Sequence, residues 1–150
     1  MFDKQQLLPM ACDHGAFEMK EFLKDKLNKL GYQIKDMGTN SSESVDYPDL
    51  IHPLAKAVND GEFAMGIILC GSGNGAQMTA NKYTNVRAAL CWSLEQAQLA
   101  REHNNANILS LPGRFIDHSM AMEMALKFIN TEFEGGRHQR RVEKISKTMK

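Results

Sequence analysis

The residues 64-AMGIILCGSGNGA-76 decide the fold of this chain. The stretch begins with a short apolar run, residues 64–70, which is typical of a strand buried on both faces of a parallel sheet. Gly71, Gly73 and Gly75 follow at alternate positions, and such a turn leads a buried strand into a helix. The stretch therefore predicts a βα unit whose loop lies at the carboxyl edge of the sheet, where open parallel sheets bind their ligands.

The rest of the chain repeats this pattern of short apolar runs and amphipathic stretches. It predicts a parallel sheet covered by helices on both faces. The other predicted strands are residues 7–12, 32–37, 86–91 and 107–111, and the predicted helices are 16–30, 48–59, 94–103 and 118–130. Gly31 and Gly61 are expected to end the first two helices. Pro9 lacks an N–H, so we expect it at the first ladder position of its strand.

Composition limits the classes of function. The 150 residues fit one domain, residues 1–150, with a basic helical tail from about residue 137. Eighteen basic and eighteen acidic residues cancel, so no global field favours nucleic acid or an anionic membrane as a partner. The tail has no interleaved aromatic residues of the kind that single-strand binders use. A content of 43% hydrophobic residues excludes a disordered chain.

The polar start and the absence of a long apolar run predict a cytoplasmic protein with no membrane segment. Cys12, Cys70 and Cys91 are odd in number and widely spaced, without a CxxC pair. This spacing argues against a disulfide framework or a structural zinc site. One of the thiols is a candidate reactive group.

Three chemistries compete for the glycine loop. Gly71, Gly73 and Ala76 fit a dinucleotide fingerprint, but the next strand ends without the acidic residue that would hold a ribose. A cysteine phosphatase loop would need an arginine where Ala76 stands. The third chemistry is stabilisation of an enolate or enediolate by the loop amides, with Cys70 as base. A plain tight turn next to a small buried cysteine is the structural alternative.

Polar groups also follow the other predicted strands and one helix. Each has a plain structural interpretation: Asp13 as a helix cap, and His14 and His103 as solvated side chains at helix ends. Together with the loop they form a set able to converge on one ligand. The set comprises Asp13, His14, His103, Asn104 and the basic string Arg137-His138-Gln139-Arg140-Arg141, which on its own fits a solvated helical tail.

Taken together, these motifs resemble the type B ribose-5-phosphate isomerase family, which includes the galactose-6-phosphate isomerase subunits. The resemblance covers nearly the whole chain and rests on six motifs: Cys12-Asp13-His14-Gly15, Gly38-Thr39 with Asp46-Tyr47-Pro48, Cys70-Gly71-Ser72-Gly73-Asn74-Gly75, Ala80-Asn81-Lys82, Arg101-Glu102-His103-Asn104, and Glu134-Gly135-Gly136-Arg137-His138. It implies an α/β fold with three α/β/α layers, Rossmann-like, and a five-stranded parallel sheet in the order 2-1-3-5-4. It also implies a homodimer with active sites between the subunits; pairing of dimers into tetramers stays open.

The resemblance implies interconversion of ribose 5-phosphate and ribulose 5-phosphate through an enediolate, without metal or cofactor. Cys70 would be the general base, helped by the positive end of the following helix. Ser72 would move protons between the sugar oxygens. Some relatives carry a glutamate at the position of Ala76, and because alanine cannot take a proton, this chain is expected to use the cysteine.

The remaining roles are implied in the same way. His103, with help from Asp13, would open the furanose ring, and Asn104 and Tyr47 would contact sugar hydroxyls. The amides of the loop would hold the oxyanion, and the phosphate would be bound by a set of basic side chains. These two groups are Gly71, Gly73, Asn74 and Gly75 for the oxyanion, and His14, Arg114, Arg137 and Arg141 for the phosphate, the last two reaching in from the partner subunit.

Two alternatives stay open. An isomerase of allose or galactose 6-phosphate would use the same Cys70, Ser72 and His103, so the motifs do not separate a pentose from a hexose. A sugar-phosphate sensor without catalysis is the other alternative, and such a protein is expected to have lost one of these three groups.

Overall fold

A computed structural model describes residues 1–147 of the chain. Within them lie five strands, β1 (Leu7–Cys12), β2 (Gln33–Asp36), β3 (Gly66–Cys70), β4 (Ala88–Leu90) and β5 (Ile108–Pro112). The α-helices are α1 (Phe17–Lys29), α2 (Tyr47–Asn59), α3 (Asn74–Ala80), α4 (Leu94–Glu102), α5 (His118–Asn130) and α6 (Gly136–Ile145). The predicted strands and helices are all present, with ends displaced by no more than two residues. Helix α6 matches the predicted basic tail, whose last residues, 148–150, lie outside the described part.

All strand pairs are parallel, and the order β2-β1-β3-β5-β4 confirms the predicted topology. Alternate side chains of β3 enter different cores: Ile67 and Leu69 pack against α1, α4 and α5, while Ile68 and Cys70 pack on the side of α2 and α3. This arrangement explains why β3 is apolar throughout. Among residues 1–147, the helices are too short or too polar for one to cross a membrane.

The prediction for Pro9 is wrong. Pro9 is the third residue of β1 and pairs with Lys35 of β2. The strand tolerates it because the ladder to β3 begins only at the next residue, Met10. No strand hydrogen bond to β3 is therefore required from the missing N–H.

Strand β4 is an edge strand whose outward backbone is covered by side chains of α3 and the residue after it. Asn81 Nδ2 donates to the carbonyl oxygen of Ala88 at 2.9 Å, and Asn81 Oδ1 accepts from Ala88 N–H at 2.8 Å. Gln77 Nε2 donates to the same carbonyl at 3.1 Å. These amides occupy the positions that a neighbouring strand would take.

A buried charge cluster stabilises the carboxyl end of β2. Lys20 is 0% exposed, and its Nζ contacts both carboxylate oxygens of Asp36 at 2.6 and 2.7 Å. Lys24 donates to Asp36 Oδ2 at 2.6 Å. Burial by itself would raise the pKa of Asp36, but the hydrogen bonds from Lys20 and Lys24 prevail and lower it to about 2. The Lys20 charge is thereby compensated, as a buried ion requires.

Candidate active site

The glycine loop after β3 is held by β5, its neighbour in the sheet. Ser110 Oγ, which is buried, donates to the carbonyl oxygen of Gly73 at 2.8 Å. The N–H groups of Gly113 and Arg114 donate to the carbonyls of Cys70 and Gly71 at 2.9 and 3.0 Å. Three hydrogen bonds therefore fix the loop before any ligand binds.

Two of the loop glycines are required by their surroundings. Gly73 has φ of 75°, and a Cβ at this position would lie 2.4 Å from Leu90 Cδ1. A Cβ on Gly75 would lie 2.5 Å from Cζ of Tyr47. The ring of Tyr47 thus packs directly on the loop backbone, so the tyrosine that was predicted to contact the sugar lies at the glycine loop.

The Cys70 thiol ends β3 and is 4% exposed. Its Sγ accepts a hydrogen bond from the N–H of Gly73 at 3.1 Å. A backbone donor aimed at sulfur stabilises negative charge there, which is what a thiolate base needs.

The other two cysteines are unsuited to this chemistry. Burial raises the pKa of both Cys12 and Cys91 to about 12, and both thiols are free. At neutral pH they stay protonated, so they act as small apolar core residues.

Ser72 and Asn74 lie on the exposed rim of the loop. Ser72 Oγ accepts from the N–H of Asn74 at 3.3 Å. The hydroxyl therefore keeps its own proton free to donate, and it lies two residues from the Cys70 sulfur along the loop.

The loops after β1 and β5 meet the glycine loop from the other side. Asp13 Oδ1 accepts the N–H of Gly15 at 2.9 Å, which is the helix cap expected of this residue. A Cβ on Gly15 would lie within 3.2 to 3.4 Å of Asp13 Oδ1, Gly71 N and Arg114 Nη2. Asp13, Gly71 and Arg114 thus converge around Gly15, and this close approach explains the need for glycine there.

His103 and Asn104 lie elsewhere. They follow α4, which begins at the carboxyl edge after β4 and ends at the amino edge, where β5 begins. The five residues of β5 span about 15 Å between the two edges. One subunit therefore does not bring His103 and Asn104 to Cys70, although sequence analysis grouped them as one set.

The amino edge carries its own cluster of side chains, formed where α4 ends and α6 begins. The rings of His103 and His138 are stacked with centroids 4.2 Å apart. Glu134 Oε2 lies 3.9 Å from His103 Nε2 and 3.5 Å from His138 Nε2, and the N–H of Glu134 donates to the carbonyl of Glu102 at 3.1 Å. Arg137 and Arg141 project from the same helix, with Arg141 Nη1 donating to the carbonyl of Arg137 at 2.7 Å.

Glu134 had no predicted role, and His138 was predicted only as part of the basic string of residues 137–141, although the spacing of four residues between the two is visible in the sequence. Desolvation and the nearby charges of His103 and Arg137 lower the pKa of His138. The donor atoms of His103, Glu134 and His138 lie within 4.8 Å of one another, as a metal would require. Arg137 Nε donates to His138 Nε2 at 3.3 Å, so this nitrogen already accepts a hydrogen bond from a cationic group.

The predicted residues thus form two groups at opposite edges of one sheet. The sequence pattern of the Ribose/Galactose Isomerase family matches residues 8–145. The chain belongs to this family. The resemblance predicted from the motifs is confirmed.

Members of the Ribose/Galactose Isomerase family match over nearly their full length. Ribose-5-phosphate isomerase B of Escherichia coli is 38% identical over 139 residues, which are 93% of each chain. The crystal structure of a ribose 5-phosphate isomerase from Thermotoga maritima superposes with a TM-score of 0.93 at 46% identity and covers 95% of this chain and 99% of that one. Ribose-5-phosphate isomerase B of Mycoplasma genitalium, solved with bound ribulose-5-phosphate, has a TM-score of 0.89 at 38% identity and 93% coverage of both chains.

Proposed function

We propose that this protein interconverts ribose 5-phosphate and ribulose 5-phosphate, with Cys70 as the general base. The observation that carries the proposal is the Cys70 thiol, which ends the central strand and accepts the Gly73 N–H in a fixed glycine loop. The isomerase relatives, one of them with ribulose-5-phosphate bound, support the substrate.

In the proposed reaction the Cys70 thiolate removes the proton from C2 of the open-chain aldose. The electron pair moves into a C1–C2 double bond, and O1 becomes the oxyanion of an enediolate. Cys70 then returns the proton to C1 while O2 becomes the carbonyl, so that no atom is gained or lost. General base catalysis of this kind contributes about 10² to 10⁴ in rate.

The loop supplies the charge stabilisation and the second proton transfer. Gly73 and Asn74 already donate their N–H groups to Cys70 Sγ and Ser72 Oγ, so the oxyanion takes the remaining N–H groups of residues 71–75. Because Ser110 and the β5 loop hold the glycine loop in place, those groups need little reorganisation when the oxyanion forms. Ser72 donates its hydroxyl proton to O1 and takes up the proton that leaves O2, so the hydroxyl group is restored at the end of the reaction. Tyr47, packed on Gly75, contacts the sugar hydroxyls.

A homodimer completes the site in this proposal. His103 of the partner subunit opens the furanose ring with help from Asp13, since a cyclic sugar hides the carbonyl that acidifies C2. Asn104 of the partner subunit contacts a hydroxyl. Arg114 and His14 bind the phosphate from one side, and the partner's Arg137 and the partner's Arg141 bind it from the other, because guanidinium groups suit phosphoryl oxygens.

Surface composition supports the dimer. Trp92, after β4, is 56% exposed, and Phe115, after β5, is 74% exposed. Large aromatic side chains are enriched at protein interfaces. Both lie at the carboxyl edge, beside the half of the site that needs the partner's amino edge. In a two-fold dimer each edge meets the other, which gives two equivalent sites. A mass measurement in solution distinguishes such a dimer from a tetramer formed by two dimers.

The test of the activity is a coupled assay of the purified chain on ribose 5-phosphate, allose 6-phosphate and galactose 6-phosphate. We expect preferential turnover of ribose 5-phosphate. In D2O, solvent deuterium should enter the product at C1, as an enediolate requires. Turnover of a hexose phosphate in preference would support the alternative substrate, and binding without turnover would support a sensor.

The test of the base compares two cysteines. Cys70→Ala should lower kcat by about 10² to 10⁴. Cys91→Ala is the matched control, because Cys91 is also a buried thiol at a strand end but has no place in the mechanism. Circular dichroism checks that both variants fold. Activity that survives Cys70→Ala would overturn the assignment of the base.

The test of the shared site uses mixed dimers. Cys70→Ala and His103→Ala chains, each inactive alone, are unfolded together and refolded at equal amounts. Half of the dimers are then mixed, and one of the two sites in each is intact, which predicts recovery of about a quarter of the wild-type activity. No recovery would mean that both groups come from one chain or that the sites are not shared.

The three free cysteines suit a reducing compartment. The cytoplasm is therefore the location that we propose.

A further inference from the structure

We propose that the loop of residues 38–46 fixes His14 as a neutral imidazole with its proton on Nε2, so that Nε2–H is the donor to the substrate phosphate. Val45 then acts as a positioning residue through its backbone N–H. The inference rests on the proposed function for the identity of the ligand, but not for the state of the ring.

The first observation is the contact between Val45 and His14. The N–H of Val45 donates to Nδ1 of His14 at 3.2 Å. A backbone N–H only donates, so Nδ1 must carry a lone pair. A neutral imidazole has one N–H, which therefore lies on Nε2. A doubly protonated ring would face the Val45 donor with a second donor and would lose this hydrogen bond.

The second observation is that the start of the loop is anchored to β1, the strand that ends two residues before His14. The N–H of Cys12 donates to the carbonyl of Gly38 at 2.7 Å, and the N–H of Thr39 donates to the carbonyl of Cys12 at 2.8 Å. Cys12 is two residues before His14. The loop therefore begins in fixed register with the segment that it must hold.

The buried charge cluster fixes the same end. The N–H of Gly38 donates to Asp36 Oδ1 at 3.0 Å, and Asp36 is held by the fully buried Lys20. The other end of the loop enters α2, whose Asp49 N–H donates to the carbonyl of Asp46 at 3.2 Å. With both ends fixed, the N–H of Val45 is held in position rather than free to follow the ring.

The third observation concerns the opposite ring nitrogen. Within residues 1–147, no protein group accepts a hydrogen bond from His14 Nε2. His14 lines a cavity of about 160 Å³ together with the small residues Gly15, Ser42 and Gly113, and the titratable side chains of Glu18 and His118 line it as well. Arg114, another predicted phosphate ligand, approaches the same Gly15. A neutral donor beside a guanidinium group suits an anion with several acceptor oxygens.

The state of the ring is tested directly by two-bond ¹H–¹⁵N correlation spectra of the wild-type protein labelled with ¹⁵N-histidine. We expect Nδ1 of His14 to resonate as an unprotonated nitrogen and Nε2 as a protonated one. Adding inorganic phosphate should move the Nε2 resonance more than that of Nδ1. A protonated Nδ1 would overturn the inference whatever the enzyme does.

A matched pair of variants tests the role of each nitrogen. In His14→Gln the terminal amide lies near the position of Nε2, and in His14→Asn it lies near that of Nδ1. We expect His14→Gln to keep phosphate affinity within about threefold and His14→Asn to lose about tenfold, since one hydrogen bond to a charged group is lost. Hydrogen exchange at the Val45 amide should show the reverse order, with His14→Asn the better protected.

A purely structural role for His14 predicts a different outcome: His14→Asn would then bind phosphate like the wild type. That result would overturn the inference. Phosphate titration and NMR do not require turnover, so a failure of the isomerase assay with the expected ring state would count against the proposed function alone. Turnover of ribose 5-phosphate with the reversed tautomer would count against this inference alone.

Discussion

The two edges of the sheet carry the two halves of the candidate site in opposite ways. At the carboxyl edge the glycine loop is hydrogen-bonded to Ser110, Gly113 and Arg114, and the residues that flank it, Cys70 and Ala76, are buried. At the amino edge the corresponding groups lie around α6, a helix with no buried residue.

The two edges differ because the proposed mechanism uses backbone groups at one edge and side chains at the other. In the proposed mechanism the carboxyl edge supplies main-chain N–H groups, which core strands must fix if they are to stabilise an oxyanion. The amino edge supplies the side-chain ends of His103, Arg137 and Arg141 to a ligand held by the other subunit of the proposed dimer. Their order can come from the partner surface, at the time of assembly.

The largest expected effect is a difference in stability between two variants, each of which replaces one glycine at one edge of the sheet. Gly73→Ala forces a Cβ into Leu90 at a left-handed φ, and we expect a loss of about 4 kcal/mol in the free energy of unfolding. Gly135→Ala also changes a glycine with positive φ, here with φ of 67° and ψ of −129°, but nothing lies within 4 Å of its Cβ. Only backbone strain is then added, and the loss should be about 1 to 3 kcal/mol. Chemical denaturation measures both. Equal losses would mean that the two edges are equally rigid.

The second effect concerns binding without stability. Arg141→Gln should raise KM for the sugar phosphate about 10- to 100-fold, because a hydrogen bond to a charged group is lost. Its melting temperature should not change, since Arg141 is exposed.

Arg140→Gln is the control for this prediction, because Arg140 lies on the same helix but outside the predicted phosphate set. Its KM should stay near that of the wild type. An equal rise in KM for both variants would show that the tail attracts anions by net charge and not through a defined contact.

The third effect is a loss of stability at acid pH, an acid limb in the plot of unfolding free energy against pH, which comes from the carboxyl edge. The pKa of Asp36 is lowered from 3.8 to about 2 in the folded protein, so the unfolded chain binds the proton more readily. The ion pair stabilises the fold fully above pH 4, and about 2 kcal/mol is lost as the pH falls towards 2. Asp36→Asn should lower stability at neutral pH and remove this part of the acid dependence. Denaturation curves from pH 2 to 7 provide the measurement.

Asp25→Asn is the comparison for Asp36→Asn. Asp25 pairs with Lys29 on the exposed face of α1, and exposed pairs contribute little. We expect its acid limb to match the wild type. If Asp36→Asn also kept that limb, the buried cluster would not be its source.

The smallest effect is a titration at the amino edge. Desolvation and the charges of His103 and Arg137 lower the pKa of His138 below its ordinary 6.5. The small stabilisation that the neutral ring contributes is therefore present above pH 6.5 and is lost as the pH falls through the lowered pKa. An NMR titration should give a midpoint below that of a free histidine, and His103→Gln should move it upward.

His52→Gln serves as the control for the His138 titration, because His52 lies on α2 and contacts Tyr83 instead. The midpoint of His138 should not move in this variant. If His103→Gln leaves the titration midpoint of His138 unchanged, the stacked His103 ring has no electrostatic influence on the pKa of His138.

The fold was predictable because β3 and its glycine loop determine much of it locally. The apolar run, the turn and the helix that follows each satisfy a local rule, and Asp13 does cap its helical turn as expected. The position predicted for Pro9 was wrong because the ladder between β1 and β3 begins only at Met10. Where that ladder begins depends on β3 and is not visible in the sequence of β1.

The candidate site was predictable in content but not in layout. The motifs contain Cys70 and His103 alike, and only the direction of α4 shows that these residues lie at opposite edges of the sheet. The role of Val45 is invisible in sequence because it acts through an N–H that every residue except proline has. The contact depends on a loop folding back over β1.

The cover on β4 has a consequence for how copies of the chain associate. An uncovered edge strand invites a strand from another molecule, which leads to open-ended aggregation. Asn81 already pairs with Ala88 on the outward side of β4, and at the opposite edge β2 presents the charged Lys35. The lateral edges of the sheet are thereby closed to further strands. In the proposed dimer copies meet end to end instead, through a contact that is complete once two chains have joined.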